Sequence, residues 1–201
     1  MIAGLLLAAG RSTRFGGDKL LALVHGAPVL SWSAAALAAE VDALFLVVPP
    51  DSASQLMAVA GVTAVTVENA NRDDGLASSI RAGIAVLPAH VEAVVIALAD
   101  QPFVSPGIVR RLRERWSAGG VVAVAPRYRD ARGHPVLFGR STFPALLALE
   151  GDEGAKALLE SLGSGLGLVD VDEAMPSDVD TPHALSELDA RRRREDSGGA
   201  S

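Results

Sequence analysis

Residues 5–21 read LLLAAGRSTRFGGDKLL, so an apolar run ends in a loop carrying glycines and three cations, Arg11, Arg14 and Lys19. Such a loop exposes main-chain N–H groups, glycine lets the backbone come close to a ligand, and the resulting nest binds anions. The cations add charge that backbone donors lack, which suits a triphosphate or pyrophosphate. The usual phosphate-loop spacing is absent, because Phe15 stands at the second glycine position and Asp18 follows Gly17. The dinucleotide pattern G-x-G-x-x-G is absent as well. Two aspartates far apart in the chain offer a second kind of chemistry. Asp100 ends the apolar stretch VVIALADQP, and Asp180 lies in SDVDTPHAL. Magnesium takes one or two carboxylates and completes its shell with phosphate oxygens and water. Taken alone, Asp100 reads better as a turn residue before Pro102 and Pro106, and Asp180 as part of the turn that Thr181 caps.

Elements must bring these residues together. Short apolar stretches rich in Val, Ile and Leu predict strands over Ile2–Ala8, Ala43–Val48, Val62–Val67, Ala93–Ala97, Val121–Ala125, Pro135–Phe138 and Leu168–Val171. Several are apolar throughout, the mark of strands buried on both faces of a parallel sheet. Helices are expected between them over Pro28–Glu40, Ser52–Val59, Leu76–Leu87, Pro106–Ser117, Phe143–Leu149, Gly154–Leu162 and Thr181–Arg192. Pro28, Pro106 and Pro182 are expected in first helical turns, where a missing N–H removes no bond. Alternating strands and helices imply an α/β fold, a three-layer αβα sandwich around a mostly parallel, Rossmann-like sheet. In such sheets ligands bind beyond the carboxyl ends of the strands, where each candidate residue falls.

The 201 residues suffice for one domain, 1–194, and the polar, small-residue stretch 195–201 reads as a disordered tail. No apolar run reaches the roughly 20 residues of a membrane span, and the N-terminus lacks a basic leader, so a cytoplasmic protein is expected. The chain has no cysteine, which excludes disulfides and thiolate catalysis, and its net charge of −6 argues against nucleic acid as partner. The run Arg191–Arg194 reads as helix-terminal charge.

As a whole, LAAGRSTRFGGDKLL resembles the signature L-A-x-G-x-S-x-R-[MF]-G-x-x-K of nucleotidyltransferases of the molybdenum cofactor type, the MobA-like NTP transferases, with Gly10, Ser12, Arg14, Gly16 and Lys19 at matching spacings. LADQP and DVDTP are similar to two further motifs of that family. The resemblance implies the nucleotide-diphospho-sugar transferase version of the sandwich. It implies that Leu7, Ala8, Ala9, Gly10, Arg11, Ser12 and Lys19 hold the nucleotide, that Arg14, Lys19 and Asp100 are catalytic, and that Asp100 and Asp180 bind magnesium, with Asp178 as substitute for Asp180. DDGLASSIRAG resembles the segment over base and sugar, where Asn71, Gly75, Ser78 and Ser79 offer hydrogen bonds. RGHPVLF and GDEGAKALL resemble segments near the acceptor, and Gln101, Pro102, Gly133 and His134 are its expected contacts. LAAG, where guanylyl-transferring relatives carry LAGG, resembles the molybdenum cofactor cytidylyltransferase branch. The Ala9 methyl is expected to narrow the base end of the pocket. The implied reaction moves CMP from CTP to the phosphate of molybdenum-molybdopterin, with an apo molybdenum hydroxylase of the xanthine dehydrogenase type as recipient. Other small phosphate acceptors, an NAD(P)H-dependent pyridine-dye (nicotine blue) reductase and a noncatalytic nucleotide-binding chaperone are the alternatives.

Overall fold

The computed structural model describes residues 1–10, 12, 15–129, 131–152 and 154–198, with the backbone alone over 191–198. The strands are β1 (Ile2–Leu7), β2 (Leu23–Val24), β3 (Ala27–Pro28), β4 (Ala43–Val48), β5 (Val65–Glu68), β6 (Ala93–Leu98), β7 (Ala123–Arg127), β8 (Val136–Gly139) and β9 (Leu166–Asp170). The helices are α1 (Val29–Ala38), α2 (Ala53–Ala58), α3 (Leu76–Ala85), α4 (Pro106–Ser117), α5 (Phe143–Leu147), α6 (Lys156–Ser161) and α7 (Pro182–Gly198). Seven strands form one sheet in the order β5-β4-β1-β6-β8-β7-β9, while β2 and β3 pair separately. All ladders of the large sheet are parallel except those of β8 with β6 and with β7.

Alternate residues of the central strands serve two apolar layers. Leu6, Leu46, Val95 and Leu137 pack with Leu30, Leu37 and Leu112 of α1 and α4. Leu5, Phe45, Val94 and Phe138 pack with Ile80 and Ile84 of α3 and Leu146 of α5. Burial on both faces explains the continuous apolar runs of β1, β4 and β6. The mostly parallel αβα sandwich expected from the sequence is the fold found. Among the described residues no helix is long and apolar enough to cross a membrane.

The boundaries differ in places. The strand expected from Val62 begins at Val65, because Val62 N–H still closes the turn after α2 onto the Val59 carbonyl. Pro28 precedes α1 instead of entering its first turn, since it belongs to the β2–β3 hairpin. That hairpin turns at His25 and Gly26, both with positive φ (51° and 76°), as a tight two-residue turn requires. The helix expected to stop at Arg192 runs on to Gly198, into the stretch read as disordered from 195, because no glycine or proline interrupts it before Gly198. Residues 199–201 lie outside the described residues.

Candidate active site

The chain leaves β1 for the strands on one side of it and returns to β6 on the other. The crevice beyond the ends of β1 and β6 is therefore the switch point at which such sheets bind ligands. Ala8 N–H continues the ladder to the Val47 carbonyl (2.8 Å), and Ala99 N–H bonds the Leu7 carbonyl (3.1 Å). These bonds fix where the β1 loop starts and where Asp100 emerges. The loop turns at Ser12, which takes a positive φ of 51° and accepts Phe15 N–H at 3.0 Å. Asp18 accepts Leu20 N–H (3.1 Å) and Gln55 Nε2 (3.0 Å), so the strand-distal part of the loop is anchored to α2.

Lys19 is only 9% exposed, and its Nζ donates to Asp100 Oδ2 at 2.6 Å and to Asp180 Oδ1 at 2.8 Å. Asp180 reaches this point because Val179 N–H bonds the Asp100 carbonyl (3.0 Å) and Thr181 Oγ1 caps α7 by accepting Ala184 N–H (3.1 Å). Burial by itself lowers the Lys19 pKa. The charges and hydrogen bonds of Asp100 and Asp180 outweigh it and hold the ammonium above its ordinary value. Asp178 sits beside this pair and accepts Gln101 Nε2 at 2.7 Å. Its carboxyl is pushed above the usual range, first by desolvation and then by the charges of Asp100 and Asp180, against the pull of Gln101 and Lys19.

Two carboxylates thus share one ammonium, with a third, Asp178, beside them. Their hard oxygen donors and the surplus negative charge felt at Asp178 fit an added divalent cation. The described side chains do not by themselves form a set of three or more protein ligands around one point. A metal held here by Asp100 and Asp180 would take its remaining ligands from phosphate and water, as magnesium and manganese do with such oxygen donors.

On the β4–β5 side, Gly10, Ser12, Pro49, Gln55 and Arg72 border an open, polar cavity of about 410 Å³. Asn71 is exposed beside it. Ser78 and Ser79 are buried, and both hydroxyls accept from Nδ2 of Asn69 (2.9 and 3.0 Å), so they brace the segment from within and do not present free hydroxyls. Asn69 also accepts Asn71 N–H at 3.0 Å. Sequence reasoning missed Asn69, although an asparagine directly after a strand, with another two residues on, is a turn signal. Gly75 has a φ of 83°, and a Cβ there would lie 2.6 Å from the Gly151 carbonyl oxygen. Leu7 and Ala9 are buried in the α3-side layer. Ala8 is buried in the opposite layer. Arg11 and Arg14 lie outside the described residues.

On the β8 side, Gln101 and Pro102 are buried next to the carboxylates. Gly133 and His134 line a separate cavity of about 350 Å³ between α3, β8 and α6. The His134 carbonyl accepts the Tyr128 hydroxyl (2.7 Å), and its Nδ1 lies 3.4 Å from the Ile96 carbonyl. Burial pushes the imidazole below its usual pKa, opposed by that carbonyl and by the charges of Asp178 and Asp100. The structure therefore brings Lys19, Asp100, Asp178, Asp180 and Gln101 into one cluster, with one cavity on either side.

The chain is similar to known proteins. The MobA-like NTP transferase domain matches residues 4–166, a span that holds the glycine loop and Asp100. The chain is 31% identical over 209 residues to the purine catabolism protein PucB of Bacillus subtilis, covering 96% of each. It is 30% identical over 135 residues to a probable molybdenum cofactor guanylyltransferase of Thermococcus gammatolerans, covering 66% of each. The crystal structure of Rv0371c from Mycobacterium tuberculosis superposes with a TM-score of 0.80 at 33% identity, over 93% of this chain and 96% of that one. A second crystal structure of Rv0371c, in complex with manganese, superposes with a TM-score of 0.77 at 32% identity, over 93% and 97%. The family model covers most of the chain, and the chain belongs to the MobA-like NTP transferase family of nucleotidyltransferases.

Proposed function

We propose that the protein transfers CMP from CTP to the phosphate of molybdenum-molybdopterin, in a magnesium-dependent reaction that releases pyrophosphate and yields the cytosine dinucleotide cofactor. The observation that carries this reading is the junction of Lys19 with Asp100 and Asp180 at the switch point, between two cavities. The acceptor phosphate is largely ionised at neutral pH, so no protein nucleophile is needed, and catalysis reduces to positioning and charge compensation. A divalent cation, which Asp100 and Asp180 would hold, would supply Lewis-acid charge at the transferring phosphoryl group. The β1 loop, from Gly10 through Ser12, orients the triphosphate with main-chain donors. Lys19 then divides its charge between the carboxylates and the phosphates, and Arg14 adds charge on the pyrophosphate side. Asn69, through Ser78 and Ser79, holds the start of α3 in place beside the nucleotide. Gln101, Pro102, Gly133 and His134 face the acceptor side.

The choice of CTP is supported by the LAAG and GHPVLF resemblances, and a cytoplasmic apo-hydroxylase of the xanthine dehydrogenase type is the proposed recipient. A relative named for purine catabolism supports that side of the reading, because xanthine is a purine. The test is pyrophosphate release measured with each of the four nucleoside triphosphates, with magnesium or manganese and purified molybdenum cofactor. Release with CTP well above GTP is expected. Release with GTP alone overturns the choice of base, and release only with another phosphate acceptor overturns the choice of acceptor.

A further inference from the structure

Lys19 has a fixed base and a long, movable end. Asp18 Oδ1 accepts Leu20 N–H (3.1 Å), the Asp18 carbonyl accepts Leu21 N–H (3.2 Å) and the Lys19 carbonyl accepts Ala22 N–H (3.3 Å), so the main chain on both sides of Lys19 is held in a turn. Leu20 is buried in the core, and its carbonyl accepts Leu30 N–H (3.0 Å), which ties that turn to α1. Gln55 of α2 grips the turn from the side of the polar cavity, which it helps to line. It is 5% exposed, its Nε2 donates to Asp18 Oδ2 at 3.0 Å, and its Oε1 has no hydrogen-bond partner among the described residues. A buried amide oxygen left unpaired is costly, so the bond to Asp18 is what this glutamine offers the fold in return. From the fixed base, the flexible four-carbon stem carries Nζ to Asp100 Oδ2 and Asp180 Oδ1, 2.6 and 2.8 Å away.

A cation bridging Asp100 and Asp180 needs the space between those same two oxygens. An ammonium and a divalent ion so close together repel strongly where water is largely excluded. We propose that Lys19 is parked on Asp100 and Asp180 as an internal counter-ion that keeps a divalent cation out until a triphosphate arrives, and that Gln55, acting through Asp18, is the positioning residue that sets it there. The proposal rests on the reading of Asp100 and Asp180 as the metal-holding pair, and it adds an order of events to that reading. Phosphate oxygens offer the ammonium charge-assisted bonds of the same kind as those it gives up. The stem turns to them about its fixed base, and the two carboxylates are released together. The exchange also protects the fold, because uncompensated carboxylates in a half-buried cluster are destabilising.

The experiment measures manganese binding to the full chain without nucleotide, from the electron paramagnetic resonance of free Mn2+. Lys19→Met keeps the stem and removes the charge, and should bind the ion about 10-fold tighter than wild type. Asp100→Asn added to Lys19→Met should abolish that gain, which places the ion at the carboxylate pair. Gln55→Leu leaves every charge in place and should bind about threefold tighter, since Lys19 is then less firmly set; general damage to the fold would weaken binding instead. Melting followed by circular dichroism checks that each variant is folded, and Lys19→Gln replaces Lys19→Met if the latter is not. Wild type that binds Mn2+ as tightly as Lys19→Met, or a gain that survives Asp100→Asn, overturns the proposal. A gain in Lys19→Met with none in Gln55→Leu overturns the part given to Gln55. CTP binding with magnesium, measured by titration calorimetry, is the separate arm: wild type that binds CTP but shows no competition for the carboxylates keeps the transferase reading and loses this proposal, and wild type that binds no CTP loses both.

Discussion

Lys19 holds the balance of charge in the site. Its folded pKa lies above 10.5, so the stabilisation it provides is fully present below that value and is lost as pH rises through the higher folded value. Lys19→Met leaves Asp100, Asp178 and Asp180 uncompensated. Losing one partner of a fully buried pair costs about 3–5 kcal/mol. Partial exposure here reduces the expectation to roughly 1–2 kcal/mol, read as a drop in Tm at pH 8. The deficit should shrink on acidification or on addition of manganese, and a drop indifferent to both would assign Lys19 a packing role instead. On the proposed mechanism, Asp100→Asn removes a group that acts on the reacting phosphates and no core contact. At least 100-fold lower turnover is expected, about 2.7 kcal/mol of barrier, with Tm nearly unchanged. Asp180→Asn should resemble it, while Asp178→Asn, which alters a carboxylate bonded to Gln101, should lose far less. The reverse order for these two would exchange their roles. His134 is held neutral by burial, with a folded pKa below 6.5. The unfolded chain takes up this proton first, so stability should fall as pH drops below about 6.5 and continue falling until the folded value is reached. Urea unfolding at pH 5.0 and 7.5 should show that loss in the wild type and less of it in His134→Gln.

At the scale of elements, the site is held by the ends of strands and by two strapping contacts. The chain after β9 is tied to the end of β6 by Val179 N–H on the Asp100 carbonyl, which is why Asp180 can meet a lysine far from it in sequence. The start of α3 is strapped by Gly151, whose carbonyl accepts Ala77 N–H, and approached by Gly154 at Leu76. At Gly75 both the positive φ of 83° and the calculated approach of a Cβ to the Gly151 carbonyl, 2.6 Å, forbid a side chain without backbone movement. Gly75→Ala should therefore destabilise by roughly 1–3 kcal/mol and weaken CTP binding as well. Chemical denaturation and calorimetry on the same sample check the two effects, and unchanged CTP affinity would separate Gly75 from the nucleotide subsite.

At the scale of the molecule, the sheet reverses direction of growth at β1, and each functional segment lies at that reversal or beside it. The β2–β3 hairpin follows the β1 loop, and α7 is docked against it: Asp189 Oδ1 accepts His25 N–H at 2.9 Å, and the Asp189 carbonyl lies 3.0 Å from His25 Nε2. Helix α7 thus supports the hairpin that follows the β1 loop, and Asp180 lies just before its capping residue Thr181. Ending the chain at Arg194 keeps Asp189 and should leave Tm and turnover unchanged. Ending it at Thr181 removes the helix and should lower both. A fall in Tm for the Arg194 truncation, seen by scanning calorimetry, would show that the last residues pack against the domain.

The sequence of large-sheet strands and helices along the chain was legible, because burial on both faces writes continuous apolar runs, and prolines mark helix starts such as that of α4, whereas the order of the strands within the sheet and the antiparallel course of β8 were not. The motif segments were legible too, since local spacing carries them: a glycine loop, an aspartate after β6 and a threonine cap before α7 need no knowledge of the fold. The β2–β3 hairpin was not legible, because two-residue strands leave no periodicity and His25-Gly26 is not a usual turn pair. Nor was the partner of Lys19. A lysine in a basic loop reads as a phosphate ligand, and only the side-by-side parallel pairing of β1 and β6 at the switch point, with the chain after β9 tied to the end of β6, puts its ammonium between two carboxylates. The same holds for Ser78 and Ser79, which read as free hydroxyls until the end of β5 places Asn69 against them. Sequence spacing determines which chemistry is available and on which element it rides; long-range packing decides which of those groups meet, because contacts between residues 19, 100 and 180 leave no local trace in the chain.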